Sequence, residues 1–244
     1  MNMNVVPRSQ SGHIREALLA QIDGGSLPPG GKLPSERELA ELFSTTRITL
    51  KDALLALEAE GRIYREDRRG WFVAPPRLIY NPQYRSHFHE MVTRQQREVS
   101  TRVLSVRTVL ATPALSQELE LAPMSRLYQI RRLRSLDGRV VMYVEHHLKP
   151  ARFPDILDKD LSRSLTLIYE SDYGIRYGRS RFDITPSAAR GEVAQALTLA
   201  EGSPILLVFR INYDQHGQII DCDHEYWRHD AIRITVDSQT GPIV

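Results

Sequence analysis

Residues 33–61 read LPSERELAELFSTTRITLKDALLALEAEG, and the spacing inside this stretch decides the fold of the N-terminal third. Ser35 stands three residues before Glu38, the capping-box interval in which each side chain bonds the other's free backbone N–H. That predicts a short helix from Glu36 to about Phe43. Thr45 or Thr46 then caps a further helix of roughly 15 residues. Its apolar positions are Ile48, Ala53, Leu54 and Leu57, and Gly61 ends it. Upstream, Ile14, Leu18, Leu19 and Ile22 recur at helical spacing and predict a first helix over residues 10–23, stopped by Gly24-Gly25. Downstream, Ile63-Tyr64 and Trp71-Phe72-Val73 flank a charged run and read as a two-stranded ribbon.

Helix, short helix, turn, longer helix and ribbon is the order of a winged helix-turn-helix, in which a short helix braces one that enters the DNA major groove. The polar residues fall where such a device needs them. Ser35, Glu36 and Arg37 open a helix, where free N–H groups favour a phosphate. Thr45, Thr46, Arg47, Thr49 and Lys51 crowd the start of the longer helix. Arginine there can grip guanine bidentately, and threonine can meet a thymine methyl or a phosphate. Arg68, Arg69 and Gly70 form the ribbon tip. A helical dimerisation module with a solvated charged face would read the same way. Residues 1–77 carry 11 basic and 10 acidic residues, so local charge does not separate the two.

Composition bounds the rest. The chain has 244 residues, 41% hydrophobic and 25% charged, and a formal net charge of only +2. Those values fit an ordinary globular protein rather than a fibrous or disordered one. Any nucleic-acid function must come from local placement of charge. Cys222 is the one cysteine, which excludes an intrachain disulfide and a multi-cysteine zinc site and fits a reducing compartment. The longest apolar run, Pro204 to Phe209, is far short of a membrane span, and MNMNVVPRSQ has no apolar signal region. A cytoplasmic protein without membrane association is expected.

The prolines of Ala74-Pro75-Pro76-Arg77 mark a stiff linker. Beyond it, strands are predicted over 101–110, 126–136, 139–148, 175–185, 204–214, 218–227 and 231–236, with helices over 113–120, 164–171 and 187–198. Asp137-Gly138 and His216-Gly217 are two-residue hairpin signals. The expected organisation is a DNA-binding domain over 1–75, a linker over 76–85 and a second domain over 86–244. The fold class is α+β, with the second domain built on a mainly antiparallel sheet.

A tight turn at Asp137-Gly138 sets Arg134 opposite Val141 and Arg132 opposite Tyr143. By period-two alternation, Arg132, Arg134, Tyr143 and Glu145 should then share one sheet face. Two arginines on a concave face can clamp a phosphate, phosphonate or carboxylate. They can equally pair with Glu145 and other acids as a polar sheet face. Ser164, at a helix start, is a further donor. The second hairpin sets Arg210 opposite Asp223 and Asn212 opposite Asp221. Asp221, Asp223 and Glu225 then lie together and could hold an ammonium group; an Arg210–Asp223 ion pair is the competing use. His224, Glu225 and His229 lack the four-residue histidine spacing of a zinc-protease helix. The stretch Gly25–Lys32 lacks the Lys-Ser/Thr ending of a phosphate loop. Neither a metal site nor a cofactor is expected.

Leu33–Ala40, Thr46–Leu54 and Leu57–Gly61 together resemble the DNA-binding domain of GntR-type bacterial transcription regulators, over residues 12–74. The resemblance implies that Arg37, Arg47 and Lys51 contact double-stranded DNA, with Thr46 and Thr49 beside them. The ribbon departs from it: Arg68-Arg69-Gly70-Trp71-Phe72-Val73 stands where the family often has Gly-Thr-Phe-Val. Tyr128–Arg134, Asp137-Gly138, Tyr143–Glu145, Asp160-Leu161, Ser164-Leu165 and Glu225–Asp230 resemble, in their order, the UTRA-like effector domain of the HutC branch. That resemblance implies a chorismate-lyase-like fold and a small-molecule sensor, places Glu225 near the ligand, and puts Ser100 and Thr101 in a ligand-contacting loop. Asp67–Val73, Asn212–Gly217 and Glu225–Asp230 further resemble regulators of phosphonate utilisation. The implied function is a homodimeric repressor of transcription responding to a phosphonate such as 2-aminoethylphosphonate. The alternatives are a sugar phosphate of the N-acetylglucosamine 6-phosphate type, a dicarboxylate or urocanate-like anion, or a small-acid lyase with Glu145 as its general acid/base.

Overall fold

Three helices and a ribbon form where the N-terminal spacing puts them. The structure, a computed structural model, describes residues 9–84 and 87–237. The outer ends of the expected domains (1–8 and 238–244), and Arg85 and Ser86 at the expected linker boundary, lie outside these. Helices α1 (Gln10–Asp23), α2 (Glu36–Leu42) and α3 (Arg47–Ala59) are followed by strands β1 (Ile63–Glu66) and β2 (Gly70–Val73). The capping box closes as the spacing requires: Ser35 Oγ accepts from Glu38 N–H at 3.3 Å, and Ser35 N–H donates to Glu38 Oε2 at 2.7 Å. Thr46 caps α3 by accepting from Thr49 N–H at 3.2 Å.

The apolar faces of these elements converge on one core that includes Leu18, Leu39, Leu50, Leu54, Leu57, Ile63 and Trp71. The Trp71 indole N–H donates to Glu36 at 2.9 Å and so ties the ribbon to α2. Arg68 turns the ribbon in the left-handed region, at φ 59°.

The chain divides into two compact units. The first runs to Arg77 and takes in the short segments Thr198–Ala200 and His229–Ala231; the second holds the remainder. In the second unit the elements run β3 (Leu78–Tyr80), α4 (Phe88–Arg94), β4 (Val99–Leu110), α5 (Pro113–Glu118), β5 (Arg126–Leu136), β6 (Arg139–Leu148) and α6 (Leu165–Tyr173). They continue with β7 (Tyr177–Ala188), α7 (Gly191–Ala196), β8 (Pro204–Asp214), β9 (Ile219–Arg228) and β10 (Ile232–Ile234). Six strands form one sheet in the order β4-β5-β6-β9-β8-β7, and every neighbouring pair is antiparallel. The expected linker is not all linker: Leu78–Tyr80 pairs in parallel with β10. The helix expected over 187–198 is shorter, because β7 continues through Ala188. Cores cover both sheet faces. One is built under α6 with Phe153, Ile156 and Tyr169, the other under α5 with Leu115, Leu119 and Leu127. Among the described residues no helix is long and apolar enough to cross a membrane.

Asp137 and Gly138 both take positive φ, 49° and 80°, as a two-residue hairpin turn of the primed kind requires. The strands leaving that turn do not keep a simple register. Leu136 faces Arg139 and Ser135 faces Val140, but Arg134 faces Met142. Val141 is an extra residue, a β-bulge, and every pair beyond it is offset by one.

Leu54 is fully buried between the N-terminal helices and the ribbon. Leu54→Ala should destabilise the first unit by about 2–5 kcal/mol, read as a lower urea midpoint by tryptophan fluorescence from Trp71.

Candidate functional site

The bulge decides which side chains meet. With Arg134 opposite Met142 and Arg132 opposite Val144, the two arginines share a face with His146, Asp223 and Glu225. Tyr143 and Glu145, expected on that face, lie on the other one. There Tyr143 donates to Glu145 at 2.9 Å, and Arg131 pairs with Glu145 at 2.8 Å. Ser100 and Thr101 are corrected too. Both lie within β4 rather than in a loop, Ser100 is exposed, and neither lines the cavity described next.

A cavity of about 550 Å³ opens on the Arg132/Arg134 face. Tyr80, Phe88, Phe182 and Trp227 give it an aromatic wall, with Tyr80 stacked on Trp227 at 6.4 Å between centroids. Ser164, Leu165 and Thr166 bring the start of α6 to it. Ser164 caps that helix by accepting from Leu167 N–H at 3.4 Å.

The two arginines differ in what remains free. Arg132 is 1% exposed. It donates to Leu161 O and Arg163 O at 3.2 and 3.0 Å, and through Nε and Nη2 to His146 Nε2 at 3.1 and 2.7 Å. Four of its five N–H donors are therefore engaged. Burial pushes its pKa down to about 10. His146 is the acceptor because burial, then Arg132, push it down to about 3, so its ring is neutral. On its other side, His146 Nδ1 bonds Asp223.

Arg134 lies over the Phe88 ring, 4.6 Å from the centroid, and its buried Nε has no hydrogen-bond partner. Burial, then Arg132, push its pKa well below the usual range. An arginine keeps its proton, so Arg134 is a buried cation at the cavity wall. Among the described residues no carboxylate pairs with it.

Asp223 also accepts from Arg210, and from Asn212 at 3.2 Å. Burial pushes its carboxyl up, but His146 and Arg210 outweigh that and hold it below the usual range. Asp221 is pushed up to about 7 by burial and by Asp223, against bonds from Asn212 and Tyr169. Neither aspartate lines the cavity, so the expected ammonium site is reduced to Glu225. Glu225 accepts from the Trp227 indole at 3.0 Å and lies 3.3 Å from Arg210 Nη2. The Arg210–Asp223 register is the one the hairpin spacing implied.

The first unit presents a separate surface. On α3, Arg47, Ile48 and Lys51 are exposed, and Ile48 keeps 76% of its surface. Among the described residues no carboxylate pairs with Arg47 or Lys51. Arg37 is exposed, 3.9 Å from Glu41. Thr49 bonds Thr46 at 3.0 Å, and Thr45 is half-buried. Arg68 is exposed at the ribbon tip, 3.6 Å from Asp67, while Arg69 pairs with Glu66 and Glu36 holds Trp71. Sequence reasoning missed Tyr80, Phe88 and His146 at the cavity. The one legible signal was His87 three residues before Glu90, a cap that starts α4.

Known proteins carry the same two units. Residues 10–73 match the family model for bacterial regulatory proteins of the gntR family, and residues 94–233 match the UTRA domain. The chain belongs to the gntR family of bacterial transcription regulators and carries a UTRA domain. It is a DNA-binding regulator that takes a small-molecule effector through that domain, and it is not an enzyme. YihL, an uncharacterized HTH-type transcriptional regulator of Escherichia coli K12, is 34% identical over 92% of this chain and 96% of its own length. The HTH-type transcriptional repressor NagR of Bacillus subtilis is 31% identical, covering 89% of each. The crystal structure of PhnF from Mycobacterium smegmatis superposes with a TM-score of 0.66 at 25% identity, over 93% of this chain and all of that one.

Asp223→Ala would leave Arg210 and His146 without their shared acceptor, and should cost about 3–5 kcal/mol in urea unfolding. Glu225→Gln keeps an acceptor for the Trp227 indole and should cost no more than about 1.5 kcal/mol.

Proposed function

We propose that this regulator is a repressor released from its operator by a phosphorylated or phosphonated metabolite bound in the Arg134 cavity. The observation that carries the reading is Arg134 itself, a buried guanidinium with a free Nε and no carboxylate partner at the wall of a cavity. An anion there would supply the missing charge and receive a charge-assisted, bidentate grip. The start of α6 adds backbone N–H groups of the kind that favour phosphate. Arg132 acts at one remove, holding the carbonyls of Leu161 and Arg163 and so aiming that helix start.

Two ligand sizes suit different features. Glu225 on the cavity wall favours a zwitterion such as 2-aminoethylphosphonate. The volume and the hydroxyls of Ser164, Thr166, Tyr177 and Ser180 favour a larger sugar phosphate such as N-acetylglucosamine 6-phosphate. A two-carbon aminophosphonate would leave much of that space to water. Repression agrees with the relative NagR, an HTH-type transcriptional repressor. The ligand changes operator occupancy only by its different affinity for the DNA-competent and DNA-incompetent states. On the DNA side, Arg47 and Lys51 read or grip the major groove from α3, Arg37 and the exposed Arg68 meet phosphates, and a homodimer meets paired half-sites.

A thermal-shift screen of phosphonates, sugar phosphates and small carboxylates should give a ligand that raises the melting temperature in proportion to ln(1 + [L]/Kd). Arg134→Ala should abolish that rise while operator binding persists; an unchanged rise would move the ligand elsewhere. Arg47→Ala should cost about 1–3 kcal/mol of specific binding and relax base preference at one position of each half-site, measured by DNA-shift titration at fixed salt.

A further inference from the structure

On the opposite face of the sheet, the same strands carry a second polar set. Alternation sends His146 and Asp223 to the cavity side and their chain neighbours His147, Cys222 and His224 to the other. His147 lies directly across from Cys222, and His224 is two residues further along β9. Cys222 Sγ and one ring nitrogen of each histidine all lie within 4.8 Å of one another. Cys222 is a fully buried free thiol, and His147 is 4% exposed. Nδ1 of His147 and Nδ1 of His224 are both buried with no hydrogen-bond partner. Buried polar atoms are nearly always satisfied. Simple core filling accounts for the buried cysteine but not for two orphaned imidazole nitrogens beside it.

We propose that His147, Cys222 and His224 form a binding site for a soft transition-metal ion of the zinc class. One thiolate and two imidazoles suit such ions and not magnesium or calcium. Three protein ligands leave a fourth position for water or a carboxylate. A separate cavity of about 340 Å³, lined by His147 and His224 together with Glu118 and Glu145, provides room for it and a route from solvent. Bonds of about 2.0–2.3 Å set the donors of one tetrahedral ion about 3.3–3.8 Å apart, so the three side chains need close by at most about 1.5 Å. On binding, the ion takes the place of the thiol proton, which leaves to solvent. The site stands on residues outside the anion cavity and does not depend on the ligand proposed there.

The test uses the full chain, free of any affinity tag and prepared in chelator. It is titrated with Co²⁺, then with Zn²⁺ against a chromophoric chelator. One ion per chain should bind, with a near-ultraviolet thiolate-to-cobalt charge-transfer band and the visible bands of four-coordinate cobalt. Cys222→Ser should lose the charge-transfer band, and His224→Asn should weaken Zn²⁺ binding at least tenfold. Melting curves in chelator, where the variants should match the parent, separate loss of the site from loss of the fold. If Cys222→Ser does not fold, His224→Asn, at a partly exposed position, carries the test with His147→Asn. Absence of stoichiometric metal binding by the parent, or parental affinity in the folded variants, would overturn the proposal.

Discussion

Arg132 is buried with four of its N–H donors on protein acceptors, and the C-terminal cavity takes its shape from that one side chain. It reaches across from β5 to the two carbonyls that precede α6, and so it sets where that helix begins. With burial as the larger cause, it also helps keep His146 neutral, and His146 in turn bonds Asp223. A buried cation of this kind is tolerated only because each donor finds an acceptor. Removing any member of the chain Arg132–His146–Asp223–Arg210 would leave a charge or a polar group stranded in the interior.

Against that satisfied network, Arg134 stands out by contrast. Three guanidiniums, those of Arg132, Arg134 and Arg210, gather on one side of the sheet. Asp223 and Glu225 face them, while Asp221 is pushed up to about 7 and so is only partly available as a negative charge at neutral pH. The cluster is short of anionic partners, and the shortfall falls on Arg134 beside open space. This asymmetry turns the twin-arginine clamp expected from the strand pattern into a division of labour. One arginine organises the wall and the other borders the open space of the cavity.

Where local chemistry decides, the linear code was legible. Ser35 with Glu38 and Thr46 with Thr49 closed as caps because capping depends only on residues three apart. Asp137-Gly138 formed its turn because few other pairs take two positive φ values so easily. The pairing of Arg210 with Asp223 followed from counting back from the second hairpin. Counting failed on the first hairpin, where one extra residue, Val141, moved Tyr143 and Glu145 to the far face. It failed as well for Tyr80, which a linker reading left unpaired, because its strand partner β10 is some 150 residues away in the chain.

The sequence by itself determined the winged N-terminal unit, the antiparallel character of the second unit and the presence of two arginines on one strand face. Those features rest on periodicity, capping and turn chemistry, which act over a few residues. Only the tertiary structure decided which arginine stays free, which acids face the cavity, and that His147, Cys222 and His224 meet behind it. Those outcomes depend on a bulge and on strands brought together from distant parts of the chain. A shift of one residue in a pleated strand exchanges its two faces, and no local pattern in this sequence marks where that shift occurs.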